Sequence, residues 1–204
     1  ARIVRGVDQA GGLKAKLFKL ALTLGEKKLD ENNKLTFIEK LLDSVVEKLV
    51  RKKVRSTFGG RLKALVSGGA PLNLDIGIFF SALGLRLLQG YGQTESAPII
   101  SANPPEKIKL HSVGPPVSNT EVKIADDGEI LVRGDLVMQG YWRNETATKE
   151  AIKDGWLHTG DVGKIDSDGY IEITDRKKDI IVNSVSKLPI LGNVSIIIEG
   201  WKNI

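Results

Sequence analysis

Gln89-Gly90-Tyr91-Gly92-Gln93-Thr94-Glu95 gathers in seven residues the groups that suit a nucleotide. Glycines let backbone N–H groups approach phosphates, and a tyrosine offers a flat face to a purine. Thr94 supplies a hydroxyl donor, and Glu95 is a hard oxygen ligand of the kind Mg²⁺ takes. A glycine-rich loop by itself also serves turns, with the tyrosine filling core. His158 beside Thr159-Gly160-Asp161 invites a general-base reading. Packing or support of its neighbours is the better expectation for this histidine.

These groups need elements to hold them. Leu62 to Ser67 reads as a buried strand running into Gly68-Gly69-Ala70-Pro71, and Leu74 to Leu83 as a helix burying Ile76, Phe79 and Phe80. Leu85, Leu87 and Leu88 begin a strand that ends in the tyrosine loop. Strand, helix, strand is a β-α-β unit of a parallel sheet, and such sheets place ligands at the carboxyl ends of their strands. Upstream, Leu41, Leu42, Val45, Val46, Leu49, Val50 and Val54 recur at helical spacing, predicting a helix packed on something larger. The basic residues Lys48, Arg51, Lys52, Lys53, Arg55, Arg61 and Lys63 read as a solvated face.

After Pro104-Pro105 the texture turns to hairpins. Val122 and Ile124, the turn Asp126-Asp127-Gly128, then Ile130 and Val132 describe one; Lys164 and Ile165, Asp166 to Gly169, then Tyr170, Ile171 and Ile173 describe another. Asp166-Ser167-Asp168-Gly169 lacks the further ligands of a calcium loop and reads as a plain turn. Trp142 and Trp156 are expected to anchor core or loops.

Four more segments stand in order around the tyrosine loop: Ser67-Gly68-Gly69-Ala70-Pro71, Gly128 to Gly134, Trp156 to Asp161, and Asp175-Arg176-Lys177-Lys178-Asp179. From about Arg55 to Ser184 the chain resembles the adenylate-forming superfamily of acyl-CoA synthetases, luciferases and adenylation domains. Phe58 to Leu62, Val137 to Trp142 and Ile173 to Val182 make it similar to long-chain fatty-acid–CoA ligases. The resemblance implies an α/β fold: part of a large N-terminal domain with a parallel β-α-β core, followed by an antiparallel β-rich subdomain. It places the helical and α/β part at 1–112, the β-rich subdomain at 113–174, and a hinge with the start of a C-terminal subdomain at 175–204.

The resemblance also implies roles. Gly68, Gly69 and Ala70 would line adenine and Tyr91 would stack on it, within a loop of Gly90, Gly92 and Gln93. Thr94 would touch the α-phosphate and Glu95 would hold Mg²⁺, which makes these two the catalytic pair. Asp161 would accept the ribose hydroxyls, Arg176 would add a charged donor, and Lys178 matches the hinge. ATP, a fatty acid and coenzyme A are the implied substrates, giving an acyl-adenylate and then a thioester. A carrier-protein adenylation module and an inactive nucleotide-binding fragment are the alternatives. The family's phosphate loop and late lysine are not in these 204 residues, so the isolated chain is expected to be inactive. After Ser184 the text departs from the family pattern.

Composition narrows the classes. At 41% hydrophobic and 27% charged residues the chain can build a core and is not disordered. The absence of cysteine excludes disulfides and thiol catalysis and fits a reducing cytoplasm. Ala1 to Ala10 hold no apolar stretch of a signal peptide, and no run approaches the ~20 apolar residues of a membrane span. A net charge of +5 favours contact with anionic ligands or with a membrane surface as a peripheral partner. The basic residues lack interleaved aromatics, so no nucleic acid is expected.

Overall fold

Thr36 starts an apolar helix, Phe37–Val46, with a reciprocal cap. Its hydroxyl accepts the Glu39 N–H at 3.4 Å, and the Glu39 carboxylate accepts the Thr36 N–H at 2.8 Å. The computed structural model describes residues 11–30, 33–177 and 193–197, so Lys178 and the divergent text after Ser184 lie outside the described residues, 193–197 excepted. Backbone contacts divide the chain into two units, one from the described parts of 1–65, 73–87 and 196–204, the other from those of 66–72 and 88–195.

The first unit is helical. It contains α1 (Gly12–Leu29), α2 (Phe37–Val46), a π-helical turn (Glu47–Arg51), α3 (Lys52–Thr57) and α4 (Leu74–Ala82). Phe18, Ala21 and Leu24 of α1 are buried, and Gly25 meets α4 so closely that a Cβ there would lie 2.5 Å from the Ala82 Cα. The wider π turn is a local insertion in the helix. Arg51, at its end, is 3% exposed. Its guanidinium donates to Ala82 O at 2.8 Å, Ala21 O at 3.1 Å and Asp43 Oδ1 at 2.6 Å. Arg51 is therefore a buried tie between helices and not part of a solvated face, because it meets two helical carbonyls and a carboxylate there.

Two other expectations are corrected in this unit. Of the predicted stripe, Leu41, Leu42, Val45 and Leu49 are 40–64% exposed, whereas Val46 is fully buried. The stripe is real, but among the described residues it is covered only at Val46 and, in part, at Val50 and Val54. Ile76 is likewise 42% exposed, and Phe79 and Phe80 are half-buried, with Phe79 tilted against Phe18 at 6.4 Å.

The strands begin with β1 (Ala64–Gly68) and β2 (Leu87–Tyr91), neighbours joined through α4. A crossover through a helix makes such neighbours parallel, as the β-α-β reading required. Antiparallel β3 (Ser101–Ala102) flanks β2, and β9 (Asn193–Ile197) borders β1.

The second unit is dominated by a five-stranded antiparallel sheet. It comprises β4 (Thr120–Ile124), β5 (Glu129–Gly134), β6 (Ile152–Lys153), β7 (Trp156–Ile165) and β8 (Ile171–Arg176), with the short helix α5 (Glu145–Ala151) before β6. Both expected hairpins form, with Val122 opposite Val132 and Ile165 opposite Ile171. Ile100, Ile130, Val132, Leu157 and Ile171 are at most 1% exposed and make one core with Tyr91. Burying such side chains contributes roughly 1.5–3 kcal/mol each.

At the second hairpin turn, Asp166 Oδ1 accepts the N–H groups of Asp168 and Tyr170, each at 2.9 Å. Lys109 reaches Asp166 at 2.5 Å and Asp168 at 2.7 Å. The Lys109 ammonium thus balances the charge of both carboxylates at this turn. Trp156 is half-buried, with Lys123 4.1 Å and Arg133 4.6 Å from its ring centre. Trp142 is 87% exposed and is no core anchor among the described residues; Arg143 lies over its ring at 5.4 Å.

Candidate nucleotide site

Strand β2 delivers Tyr91 to the core and its hydroxyl to a carboxylate. Tyr91 is 9% exposed, and its OH donates to Asp161 Oδ2 at 2.6 Å. Burial, and then the neighbouring Asp161 carboxylate, push the phenol well above its ordinary pKa, so it stays a donor. Gln93 Nε2 donates to the same oxygen at 2.9 Å and to Thr159 O at 2.8 Å. Arg176 Nε donates to Asp161 Oδ1 at 2.7 Å from the end of β8. Asp161 itself is 3% exposed. Four of the predicted residues, distant in sequence, thus meet at one buried carboxylate.

Gly92 follows Tyr91 where the chain doubles back on itself. A Cβ there would sit 1.8 Å from Pro98 O, so only glycine fits. Gln93 then caps a single 3₁₀ turn, Thr94–Ser96, through the Ser96 hydroxyl at 2.9 Å. Thr94 is exposed and Glu95 half-buried. The Glu95 carboxylate accepts the Tyr141 hydroxyl at 2.8 Å, and its carbonyl accepts the Met138 N–H at 2.9 Å. No sequence argument assigned Tyr141 a role; the signal was its place in the Val137 to Trp142 stretch.

Gly68 closes β1 beside β2, and a Cβ on it would meet Gly90 O at 3.3 Å. Gly69 and Ala70 continue from that strand end, the first exposed and the second half-buried. Just before them, the buried Ser67 Oγ is the one buried side-chain polar atom without a hydrogen-bond partner among the described residues. An unmet buried hydroxyl costs about 1–3 kcal/mol, so a polar group arriving at this strand end would be favoured. His158 takes the supporting place expected of it, with Nδ1 2.9 Å from Glu129 Oε2. No group of three or more metal-binding side chains occurs among the described residues. Lys178 lies outside them.

A profile described as AMP-binding enzyme matches residues 31–142, more than half of the chain. The chain belongs to the AMP-binding enzyme family. Among its relatives is the long-chain-fatty-acid–CoA ligase FadD15 of Mycobacterium bovis, 47% identical over 144 residues, which are 71% of this chain and 24% of that protein. Long chain acyl-CoA synthetase 3 of Arabidopsis thaliana is 35% identical over 198 residues, 88% of this chain and 29% of that one. The chain spans about a quarter of the length of the curated relatives it matches. Among solved structures, O-succinylbenzoate coenzyme A synthetase (MenE) of Bacillus subtilis, in complex with ATP and magnesium ion, superposes with a TM-score of 0.52. It is 35% identical over 56% of this chain and 26% of that one. The α/β architecture with its antiparallel addition is accordingly that of the family's N-terminal domain.

Proposed function

We propose that this chain forms the nucleotide-binding part of an AMP-forming ligase. The enzyme activates a fatty acid with ATP and passes the acyl group to coenzyme A. The observation that carries the reading is the buried carboxylate of Asp161, oriented by Tyr91, Gln93 and Arg176 in a chain of the AMP-binding family. The 47% identity to a fatty-acid–CoA ligase supports the choice of acyl substrate.

An ionised carboxylate has about four lone-pair sites. Tyr91 and Gln93 fill the two on Oδ2 and Arg176 takes one on Oδ1. One ribose hydroxyl can join on Oδ1 directly, and the second requires Arg176 to turn away. Its side chain is 63% exposed, so it can turn into solvent and keep its charge beside the ribose. Adenine would rest against Gly68, Gly69 and Ala70 and stack on Tyr91, in the bend made by Gly90 and Gly92. Thr94, exposed at the start of its turn, would donate to the α-phosphate. Glu95 suits Mg²⁺ because Tyr141 occupies only one of its oxygens, and magnesium usually takes one or two carboxylates together with phosphate oxygens. Bound there, the ion would neutralise charge on the departing pyrophosphate. Lys178 keeps the hinge role that the resemblance implies, at the start of a C-terminal subdomain. Exposed Lys48, Lys52 and Lys53 would support peripheral attraction to anionic lipid, the medium of the acyl substrate.

The test is pyrophosphate release by the polypeptide as the cell makes it. Release that requires a fatty acid, with the acyl group recovered on free coenzyme A, is the expected result. Release driven by an amino acid, or transfer only to a carrier protein, would defeat the assignment.

A further inference from the structure

Glu129 is a charged residue at the head of a strand whose next three residues are core, yet it is only 5% exposed. Its surroundings account for that. The register between β5 and β7 breaks at this point: Glu129 pairs with Val162 and Leu131 with His158, so two steps on β5 face four on β7. Two extra residues bulge out of β7, and they fall in the Thr159-Gly160-Asp161 turn. A bulge interrupts the ladder that would otherwise satisfy its amides.

The Glu129 side chain supplies what the ladder does not. Oε1 accepts the Gly160 N–H at 2.8 Å, and Oε2 accepts Lys177 Nζ at 2.8 Å and lies 2.9 Å from His158 Nδ1. Lys177 is held twice more, by Asp127 at 2.5 Å and through its own N–H to Gly160 O at 2.8 Å. Burial pushes the Glu129 carboxyl up, but Lys177, His158 and the Gly160 N–H outweigh it and keep it below the ordinary carboxylate range. An apolar residue would fill the space but leave the bulged amide and the lysine without this acceptor.

We propose that Glu129 is a positioning residue for nucleotide binding: through Gly160 and Lys177 it holds the bulged turn so that Asp161 meets the ribose in one orientation. The proposal rests on the nucleotide reading above. It assigns Lys177, the neighbour of Arg176, to the same device as the second point of attachment.

Two variants of the full-length protein, Glu129→Gln and Lys177→Met, test it by amide hydrogen exchange and by ATP affinity from calorimetry. A charged acceptor replaced by a neutral one weakens each bond, so Glu129→Gln should lower protection at the Gly160 and Lys177 amides about tenfold, and ATP binding should weaken several-fold because Asp161 no longer meets the ribose in one orientation. Amides of the β4–β5 pair should keep theirs. Lys177→Met should loosen the Lys177 amide while leaving that of Gly160 protected. Unchanged Gly160 protection in Glu129→Gln overturns the proposal, as does a loosened turn with wild-type ATP affinity. Loss of protection throughout β4 and β5 overturns it too, since that marks a residue needed only for folding. A wild-type protein that binds no ATP removes the nucleotide reading instead, and the exchange pattern still decides whether Glu129 holds the turn.

Discussion

Asp161→Asn tests the buried cluster with the least change of shape. The substitution keeps one acceptor oxygen and turns the other into an NH₂ donor. If the NH₂ faced Tyr91 and Gln93, it would meet two donors in a site that is 3% exposed. Tyr91 could turn its hydroxyl to accept, but Gln93 Nε2 also serves Thr159 O and would lose that bond by flipping. A buried unpaired donor costs about 1–3 kcal/mol, so this orientation loses. In the other orientation the NH₂ faces Arg176, whose side chain is 63% exposed and can swing into water. Loss of a pair that open costs less than about 1 kcal/mol. The bonds from Tyr91 and Gln93 survive as neutral ones, each weaker by about 1 kcal/mol. The sum is roughly 2–3 kcal/mol of lost stability. Urea denaturation followed by tryptophan fluorescence reads it as a lower midpoint at unchanged slope. A double-mutant cycle with Tyr91→Phe should show coupling of about 1 kcal/mol or more, because the two groups share one bond. Strictly additive losses, or a total below about 1 kcal/mol, would refute the reasoning.

Three further outcomes follow from local geometry. Gly92→Ala drives a methyl to within 1.8 Å of Pro98 O, against backbone that cannot rotate away, and should cost about 3 kcal/mol or more; an unchanged thermal midpoint would contradict the close approach. Tyr141→Phe removes the donor to Glu95 from an exposed position, so stability should stay within about 0.5 kcal/mol while magnesium-dependent adenylation slows; equal rates at all magnesium concentrations would dismiss Tyr141 as a support for Glu95. Burial raises the Asp43 carboxyl, but Lys28 and Arg51 outweigh it and leave its folded pKa below the unfolded value of about 3.9. A depressed carboxylate contributes stability that is complete above the unfolded value and is lost as pH falls through the folded one. Asp43→Asn should therefore flatten the acid limb of the stability curve below about pH 4 and leave its slope near neutrality unchanged. An acid limb as steep as that of the wild type would show that the pair does not form.

What the sequence determined by itself was everything governed by short-range rules. Turn residues set both hairpins, since Asp126-Asp127-Gly128 and Asp166 to Gly169 leave only one register that keeps Val122, Val132, Ile165 and Ile171 on consistent faces. The 3.6-residue stripe likewise lies on helix, and the structure adds the Thr36–Glu39 cap at its start. The stripe could not say whether a partner lies over it, because periodicity records which face is apolar and not what is present to cover it. That is why Leu41, Val45 and Leu49 stand exposed.

Tertiary structure alone decided the partners. Tyr91 and Asp161 are 70 residues apart, and no spacing rule connects them. The meeting depends on β2 and β7 both reaching one core, a long-range property of sheet packing. Arg51 looked like one more charge on a lysine-rich surface until a π turn aimed it inward at Asp43 and two carbonyls. Glu129 carried no local signal beyond a charge at the head of an apolar strand. Its purpose comes from a bulge in another strand, and a bulge is a mismatch between two strands that neither one encodes alone.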